Sequence, residues 1–311
     1  MIYTYLGPAG TFTEAALMQV PGVDAAERVP STSVNTALEK VRSGAAEFAM
    51  VPIENSVEGG VSATLDAIAT GESLQIVREV LVPITFVLVA REGIDSLGQV
   101  RTVSTHGHAY AQTRHWCEAN LPGHDFLPAS STAAGALGLL DPENHYDAAI
   151  CAPLVAEQNN LNILRRGIED TAGAVTRFVL VSKPGRIPAP TGSDKTTVVV
   201  PLPDDHPGAL MDLLDQFAAR GVNLSRIESR PTGEALGSYF FSVDAEGHIN
   251  EARMADALAG LHRISPGVRF LGSYPSVGRS ANATASVARH NTDQAFAEAA
   301  AWVARLKAHL G

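Results

Sequence analysis

The chain has 311 residues, which at about 150 residues per domain suggests roughly two domains with room for substantial cores. Hydrophobic residues make up 45% and charged residues 18%, a composition that is neither disordered nor fibrous. The net charge of −10 argues against nucleic acid or an anionic membrane as a partner, but leaves room for a small anionic substrate held in a local pocket. Only two cysteines occur, Cys117 and Cys151, with no CxxC spacing; they read as buried thiols of a reducing compartment. The first residues, Met1–Leu6, lack the basic and long apolar regions of an export signal. The longest apolar run, Val80–Ala90, is broken by Pro83 and Thr85 and falls short of the roughly 20 residues a membrane helix needs. A cytoplasmic protein is the expectation.

In chain order, short apolar runs alternate with helical patterns. Strands are expected at Ile2–Leu6, Phe48–Val51, Ile76–Val80, Ile84–Ala90, Arg101–Val103, Ala148–Cys151 and Phe178–Val181. Helices are expected near Thr13–Val20, Val34–Arg42, Val61–Ala69, Ala109–Ala119, Ala133–Leu139 and Pro153–Gln158. This alternation predicts an α/β fold with mostly parallel sheets, whose sites lie at the C-terminal ends of strands. A proline-rich stretch, Lys183–Gly192, prevents helix and ladder alike and reads as a linker. Beyond it the order changes to strand Lys195–Leu202, helix Gly208–Arg220, strands Leu224–Ser229 and Tyr239–Val243, helix Asn250–Leu261 and strand Val268–Leu271. That is βαββαβ, a ferredoxin-like order. After Pro275 the tail turns mildly basic. Its Asp293–Leu310 segment places Phe296, Val303 and Leu310 on one amphipathic helix, which with Trp302 needs a surface on its own protomer or a neighbour.

Four loops carry candidate chemistry. In Gly7-Pro-Ala-Gly-Thr-Phe-Thr-Glu14 the glycines allow close approach of a ligand, and Thr11-x-x-Glu14 fits a reciprocal capping box. The alternative is a loop that only starts a helix. In Val51-Pro-Ile-Glu-Asn-Ser-Val-Glu-Gly-Gly60 a carboxylate, an amide and a hydroxyl follow one another at a strand end, the pattern of a site. Asn55 and Ser56 serve equally as helix caps. Ser104-Thr-His-Gly-His-Ala-Tyr-Ala-Gln112 holds two histidines, but no acidic or cysteine ligand clusters with them to complete a metal site. Gln112 can face the same crevice as Thr105 if the helix begins near Gly107. Thr176-Arg-Phe178 opens a strand; its arginine is either a surface group or a carboxylate clamp.

The ordered set GPAGTFTEAA, VPIENSVEGG, STHGHAYAQ and TRF resembles the prephenate dehydratase family. Gly208-Ala-Leu-Met and Asn223-Leu-Ser-Arg-Ile-Glu-Ser-Arg-Pro231 resemble the phenylalanine-responsive ACT domain that accompanies it. The resemblance covers residues 1 to about 275. It implies a catalytic domain over 1–185, two-lobed like a type II periplasmic binding protein, with one lobe from 1–80 and 165–182 and the other from 81–164. An ACT domain over 193–274 and a tail over 275–311 complete the chain. The implied reaction turns prephenate into phenylpyruvate without metal or cofactor, and the absence of a GxGxxG, a P-loop and a metal cluster in the sequence fits that. By the resemblance Thr176, Glu54, Asn55 and Gln112 are the catalytic candidates, and Ser56, Thr105 and Phe178 the substrate-binding ones, Phe178 as a packing residue; Arg177 and the amides near Thr11 are read as the groups that bind the substrate's carboxylates. His106 and His108 are weighted towards loop structure over acid catalysis. Gly208, Ala209, Leu210, Asn223, Leu224 and Glu228 are the implied phenylalanine contacts, at an interface between paired ACT domains of a homodimer or homotetramer. Arogenate dehydratase and a non-catalytic amino-acid sensor are the alternatives.

Overall fold

The computed structural model describes residues 1–57, 59–202, 206–233, 238–278 and 287–309. Strands β1 (Ile2–Leu6), β2 (Glu27–Ser31), β3 (Phe48–Asn55), β4 (Gly59–Gly60), β5 (Gln75–Pro83) and β11 (Val175–Ser182) form the first sheet, in order β2-β1-β3-β11-β5, with β4 paired to β3. Strands β6 (Val87–Ala90), β7 (Thr102–Thr105), β8 (Asp125–Pro128), β9 (Ala148–Cys151) and β10 (Asn162–Arg166) form the second, in order β10-β6-β9-β7-β8. The chain therefore crosses between these sheets twice, after β5 and after β10. Helices α1 (Phe12–Leu17), α2 (Val34–Ser43) and α3 (Ser62–Ala69) belong to the first stretch of chain. Helices α4 (Gly107–Ala111), α5 (Arg114–Asn120), α6 (Thr132–Leu137) and α7 (Pro153–Gln158) connect the second sheet.

The α/β expectation holds, with mixed rather than mostly parallel pairing. β1 runs parallel to β2 and β3, and β7 parallel to β8 and β9, but β6 is antiparallel to both β9 and β10. Both faces of the second sheet are buried. Leu88, Ala90 and Ile150 pack with Cys117 on one side, and Val87, Val89 and Cys151 with Ala133 and Val155 on the other. Strands buried on both faces read as continuous apolar runs, which is why they stand out in the sequence. The two thiols are sealed there: burial pushes Cys117 up to about 11 and Cys151 up to about 12.

Three expectations shift. The expected strand at Ile84–Ala90 begins only at Val87, because Pro83 closes β5 and the Phe86 amide donates to Glu169 Oε2 at 3.0 Å instead of a ladder. The expected helix at Ala109–Ala119 breaks into α4 and α5. Thr113 Oγ1 turns back onto the carbonyls of Ala109 and Tyr110, at 2.9 and 3.3 Å, competing with the helical ladder. The capping box is half formed: the Glu14 amide reaches Thr11 Oγ1 at 3.5 Å, while the Glu14 carboxylate accepts from Gly10 N at 2.6 Å rather than from Thr11.

The C-terminal region has the expected order: β12 (Asp194–Pro201), α8 (Ala209–Ala218), β13 (Leu224–Pro231), β14 (Tyr239–Glu246), α9 (Ala252–Ile264) and β15 (Arg269–Pro275). Its sheet runs β13-β14-β12-β15, all antiparallel, with Val198, Val200, Val243 and Ala245 packed on Leu213, Phe217, Met254 and Leu261 of the helices. The tail forms α10 (Asp293–Lys307), capped by Thr292 and joined to α9 where the Ala252 amide donates to Asp293 Oδ1 at 2.8 Å. Trp302 and Val303 of α10 are exposed and Phe296 is half-buried. Leu310 lies outside the described residues, as does Glu58 in the second loop.

The chain divides into two compact units, Met1–Val61 with Val80–Phe178, and Ser62–Glu79 with Val179–Gly311. Residues 62–79 thus belong with the C-terminal region. Arg230 of β13 grips Asp66 of α3 through two bonds of 2.9 and 2.8 Å. Arg269 of β15 donates to the carbonyls of Ala69 and Gly71 at 2.7 and 2.8 Å, where α3 ends. The buried Glu79 carboxylate accepts from Lys195 Nζ and from the Val277 amide.

Candidate active site

The first unit contains a cleft of about 390 Å³, lined by residues from the ends of β1, β3 and β11 and from the starts of α1, α4 and α6. The first loop enters it through a glycine that nothing else can replace. Gly10 sits at φ +80°, and a Cβ there would lie 2.6 Å from the Val155 side chain. Thr11 follows it, caps α1 and lines the cleft. Tyr5 stays protonated beneath this loop: burial, then the Glu14 carboxylate, pushes its phenol up to about 12.

The second loop folds back as a tight hairpin, with Glu54 opposite Gly60 and Asn55 opposite Gly59. The Val57 amide donates to Asn55 Oδ1 at 2.8 Å, which fixes the amide's orientation and aims Nδ2 at Thr176 Oγ1, also 2.8 Å away. Thr176 therefore accepts there, and its own proton remains to be donated elsewhere. Ser56 clamps the same strand: its amide donates to the Val175 carbonyl and its hydroxyl accepts from the Val175 amide, both at 2.9 Å. Arg177, 5% exposed, meets Glu54 Oε2 at 3.5 Å.

Thr11, Asn55, Gln112 and Thr176 line the cleft. Glu54, Ser56, Thr105, Arg177 and Phe178 are not among its described lining residues. Thr105 is fully buried with its hydroxyl on the Ile150 carbonyl at 2.7 Å, and Phe178 is buried in β11. Several lining residues escaped the sequence reading. Phe12 and Phe86 meet edge-to-face at 5.6 Å and 86°, a pair suited to a ring-shaped ligand. Thr32, Ser130, Ser131 and Thr132 add hydroxyls, Ser131 as the cap of α6. The Ser-Ser-Thr run was a visible signal for that cap; the phenylalanines gave none, because in sequence they read as core. Among the described residues no His, Cys, Asp and Glu group could hold a metal ion, and no helix is long and apolar enough to cross a membrane.

The family model for prephenate dehydratase matches residues 3–186, and that for the ACT domain matches residues 196–263. The chain belongs to the prephenate dehydratase family. A curated prephenate dehydratase of Mycobacterium tuberculosis is 44% identical over 312 aligned positions, covering 98% of this chain and 93% of that protein. A crystal structure of prephenate dehydratase from Arthrobacter aurescens, in complex with L-Phe, is 65% identical with a TM-score of 0.93, covering 98% of this chain and 99% of that one. A chain described as a novel type of quorum-quenching acylase is 31% identical with a TM-score of 0.78, covering 89% and 99%.

In this prephenate dehydratase family member the six ACT residues fall at different places around one sheet. Gly208, Ala209 and Leu210 open α8 and line a cavity of about 340 Å³ with His206 and Tyr239. Asn223 donates to Glu246 Oε1 at 2.7 Å and lines a separate cavity of about 490 Å³ beside Lys195. Leu224 pairs with Ala245 near that second end, and Glu228, opposite Ser242, lies 3.6 Å from Arg226. Most of the eight-residue strand β14 separates the two ends, about 20 Å at 3.4 Å per residue. One chain does not bring the six together.

Proposed function

We propose that the cleft performs the family's reaction, the decarboxylating dehydration of prephenate to phenylpyruvate. Thr176 is the residue closest to the chemistry. The ring carboxylate departs as CO₂, and the bonding pair it leaves behind enters the ring. As the ring becomes aromatic the C4 hydroxyl is expelled, and it needs one proton to leave as water. Thr176 donates a hydrogen bond to that hydroxyl and relays the proton. Asn55 holds Thr176 in this role, Glu54 and Ser56 shape the loop that carries Asn55, and Gln112 and Thr11 orient the substrate. Thr105 and Phe178 set the strand ends from beneath, and Arg177 steadies the loop through Glu54. The observation that carries this reading is the hydrogen bond of 2.8 Å from Asn55 to Thr176, whose direction is set by the Val57 amide. General-acid assistance of this kind is worth about 10²–10⁴ in rate. Following phenylpyruvate by its ultraviolet absorbance, Thr176→Val is expected to lose a factor in that range in kcat with its fold intact. Near-normal turnover would remove Thr176 from the mechanism. Running arogenate beside prephenate decides between the two dehydratase substrates, and ligand binding without turnover of either would favour a sensor.

The catalytic domain is read over 1–185, with lobes 1–80 plus 165–182 and 81–164 and with residues 62–79 packing on the C-terminal region, followed by an ACT domain over 193–274 and a tail over 275–311, in a cytoplasmic enzyme. Phenylalanine acts on it as a feedback effector through the ACT domain. Because Gly208 and Asn223 lie beside opposite ends of one sheet, two ACT domains paired about a two-fold axis would form each effector site from both chains. The expected result is inhibition in a phenylalanine titration by an enzyme of at least dimer mass in light scattering; a single-chain mass with phenylalanine present would sink the pairing.

A further inference from the structure

Prephenate carries two carboxylates, yet the described residues lining the cleft include no lysine, arginine, aspartate or glutamate. Their ionisable side chains near neutrality are His106 and His108. Arg177, the arginine nearest in sequence to Thr176, is buried and engaged with Glu54. A carboxylate that leaves water for the cleft is best compensated by a charged donor, whose hydrogen bonds are about twice as strong as neutral ones.

The two imidazoles stack face to face, with centroids 5.2 Å apart and planes 8° from parallel. Their roles differ. His106 caps α4, its Nδ1 accepting from the His108 amide at 3.3 Å. That bond requires a lone pair on Nδ1, so His106 carries its proton on Nε2 and stays neutral while the cap holds. The His108 ring is exposed and lines the cleft, while the cap is made by the His106 ring.

We propose that His108, protonated and stacked on a neutral His106, receives one carboxylate of the substrate. An approaching carboxylate favours the charged imidazole, and histidine is the side chain whose charge is most readily recruited near neutrality. The proposal rests on the dehydratase reading of this cleft.

The test is steady-state turnover of prephenate by the full chain with His108→Gln, His108→Phe and His108→Arg. Removing the charge is expected to raise KM about tenfold in the Gln and Phe variants, the low end for a hydrogen bond to a charged group, with kcat within threefold of the parent. The arginine variant restores a cation and is expected within threefold of the parent KM. If KM stays level in both the Gln and Phe variants, or rises as far in the Arg variant as in them, the proposal is overturned while the dehydratase reading stands. If the parent chain forms no phenylpyruvate, the dehydratase reading falls and the proposal with it.

Discussion

Each unit of the molecule holds an arginine against a carboxylate, and the two pairs are built differently. Beside the cleft of the first unit, Arg177 meets Glu54 through one contact of 3.5 Å, and the Glu54 side chain is 38% exposed. In the ACT sheet, Arg226 meets Asp244 through Nε at 2.8 Å and Nη2 at 3.3 Å, and the Asp244 side chain is wholly buried. Thr197 donates to Asp244 Oδ1 at 2.7 Å with the Tyr274 hydroxyl behind it, and Ser242 Oγ accepts from Arg226 at 2.9 Å. The ACT pair is a strut whose oxygens are all committed. The pair beside the cleft is long and open to solvent on its acidic side.

The widest gap is expected when each acid is altered in turn. Asp244→Ala leaves Arg226 buried without its main counter-charge, which costs about 3–5 kcal/mol. Glu54→Gln removes a partner that water already screens and costs about 1 kcal/mol. Urea unfolding of the two variants reads both numbers, and comparable losses would mean that burial does not separate the pairs.

The next contrast concerns pH. Cys117 and Cys151 both lie in the first unit, where burial raises them from 9.0 to about 11 and about 12. Unfolded, these thiols ionise near 9.0; folded, they keep their protons. The folded state therefore binds more protons above pH 9.0, and stability falls as pH climbs from there towards 12. Each thiol contributes a slope of about 1.4 kcal/mol per pH unit between 9.0 and its own folded value, about 11 for Cys117 and about 12 for Cys151, and none below 9.0. Cys151→Ala should lower stability at neutral pH through its cavity but flatten the alkaline slope. An unchanged slope would show that the thiol is not the group responsible.

Legibility followed the same division between covered and open structure. Strands buried on both faces, such as Ala148–Cys151 and Phe178–Val181, announce themselves as apolar runs. Apart from the two-residue β4, the strands that escaped, β2 (ERVPS), β8 (DFLP) and β10 (NILRR), sit at sheet edges and carry charge or proline with only one or two inward residues. In the cleft, Thr11, Asn55, Gln112 and Thr176 were legible through the ordered motifs that resemble the family, Asn55 also as a polar group at a strand end and Gln112 at the end of helix α4. Phe12 and Phe86 were invisible because an aromatic facing a ligand has the same sequence signature as one facing a core. The allegiance of residues 62–79 was not legible either. Arg230 lies 164 positions from Asp66, and Arg269 lies 200 from Ala69; no local pattern encodes such partners.

That allegiance supplies the smallest effect. The Arg230–Asp66 pair has better geometry than the Arg226–Asp244 strut, with two bonds below 3.0 Å, and Asp66 raises the Arg230 guanidinium further above its usual range. Geometry alone would rank it first. Exposure ranks it last, because the Asp66 side chain is 44% exposed and an open ion pair is worth about 0–1 kcal/mol. Asp66→Asn keeps an acceptor oxygen for one of the two bonds, and Arg269 still holds the carbonyls at the end of α3. The expected loss in urea unfolding is thus below about 1 kcal/mol. A loss matching that of Asp244→Ala would make bond geometry, rather than the removal of water, the factor that sets the strength of ion pairs in this fold.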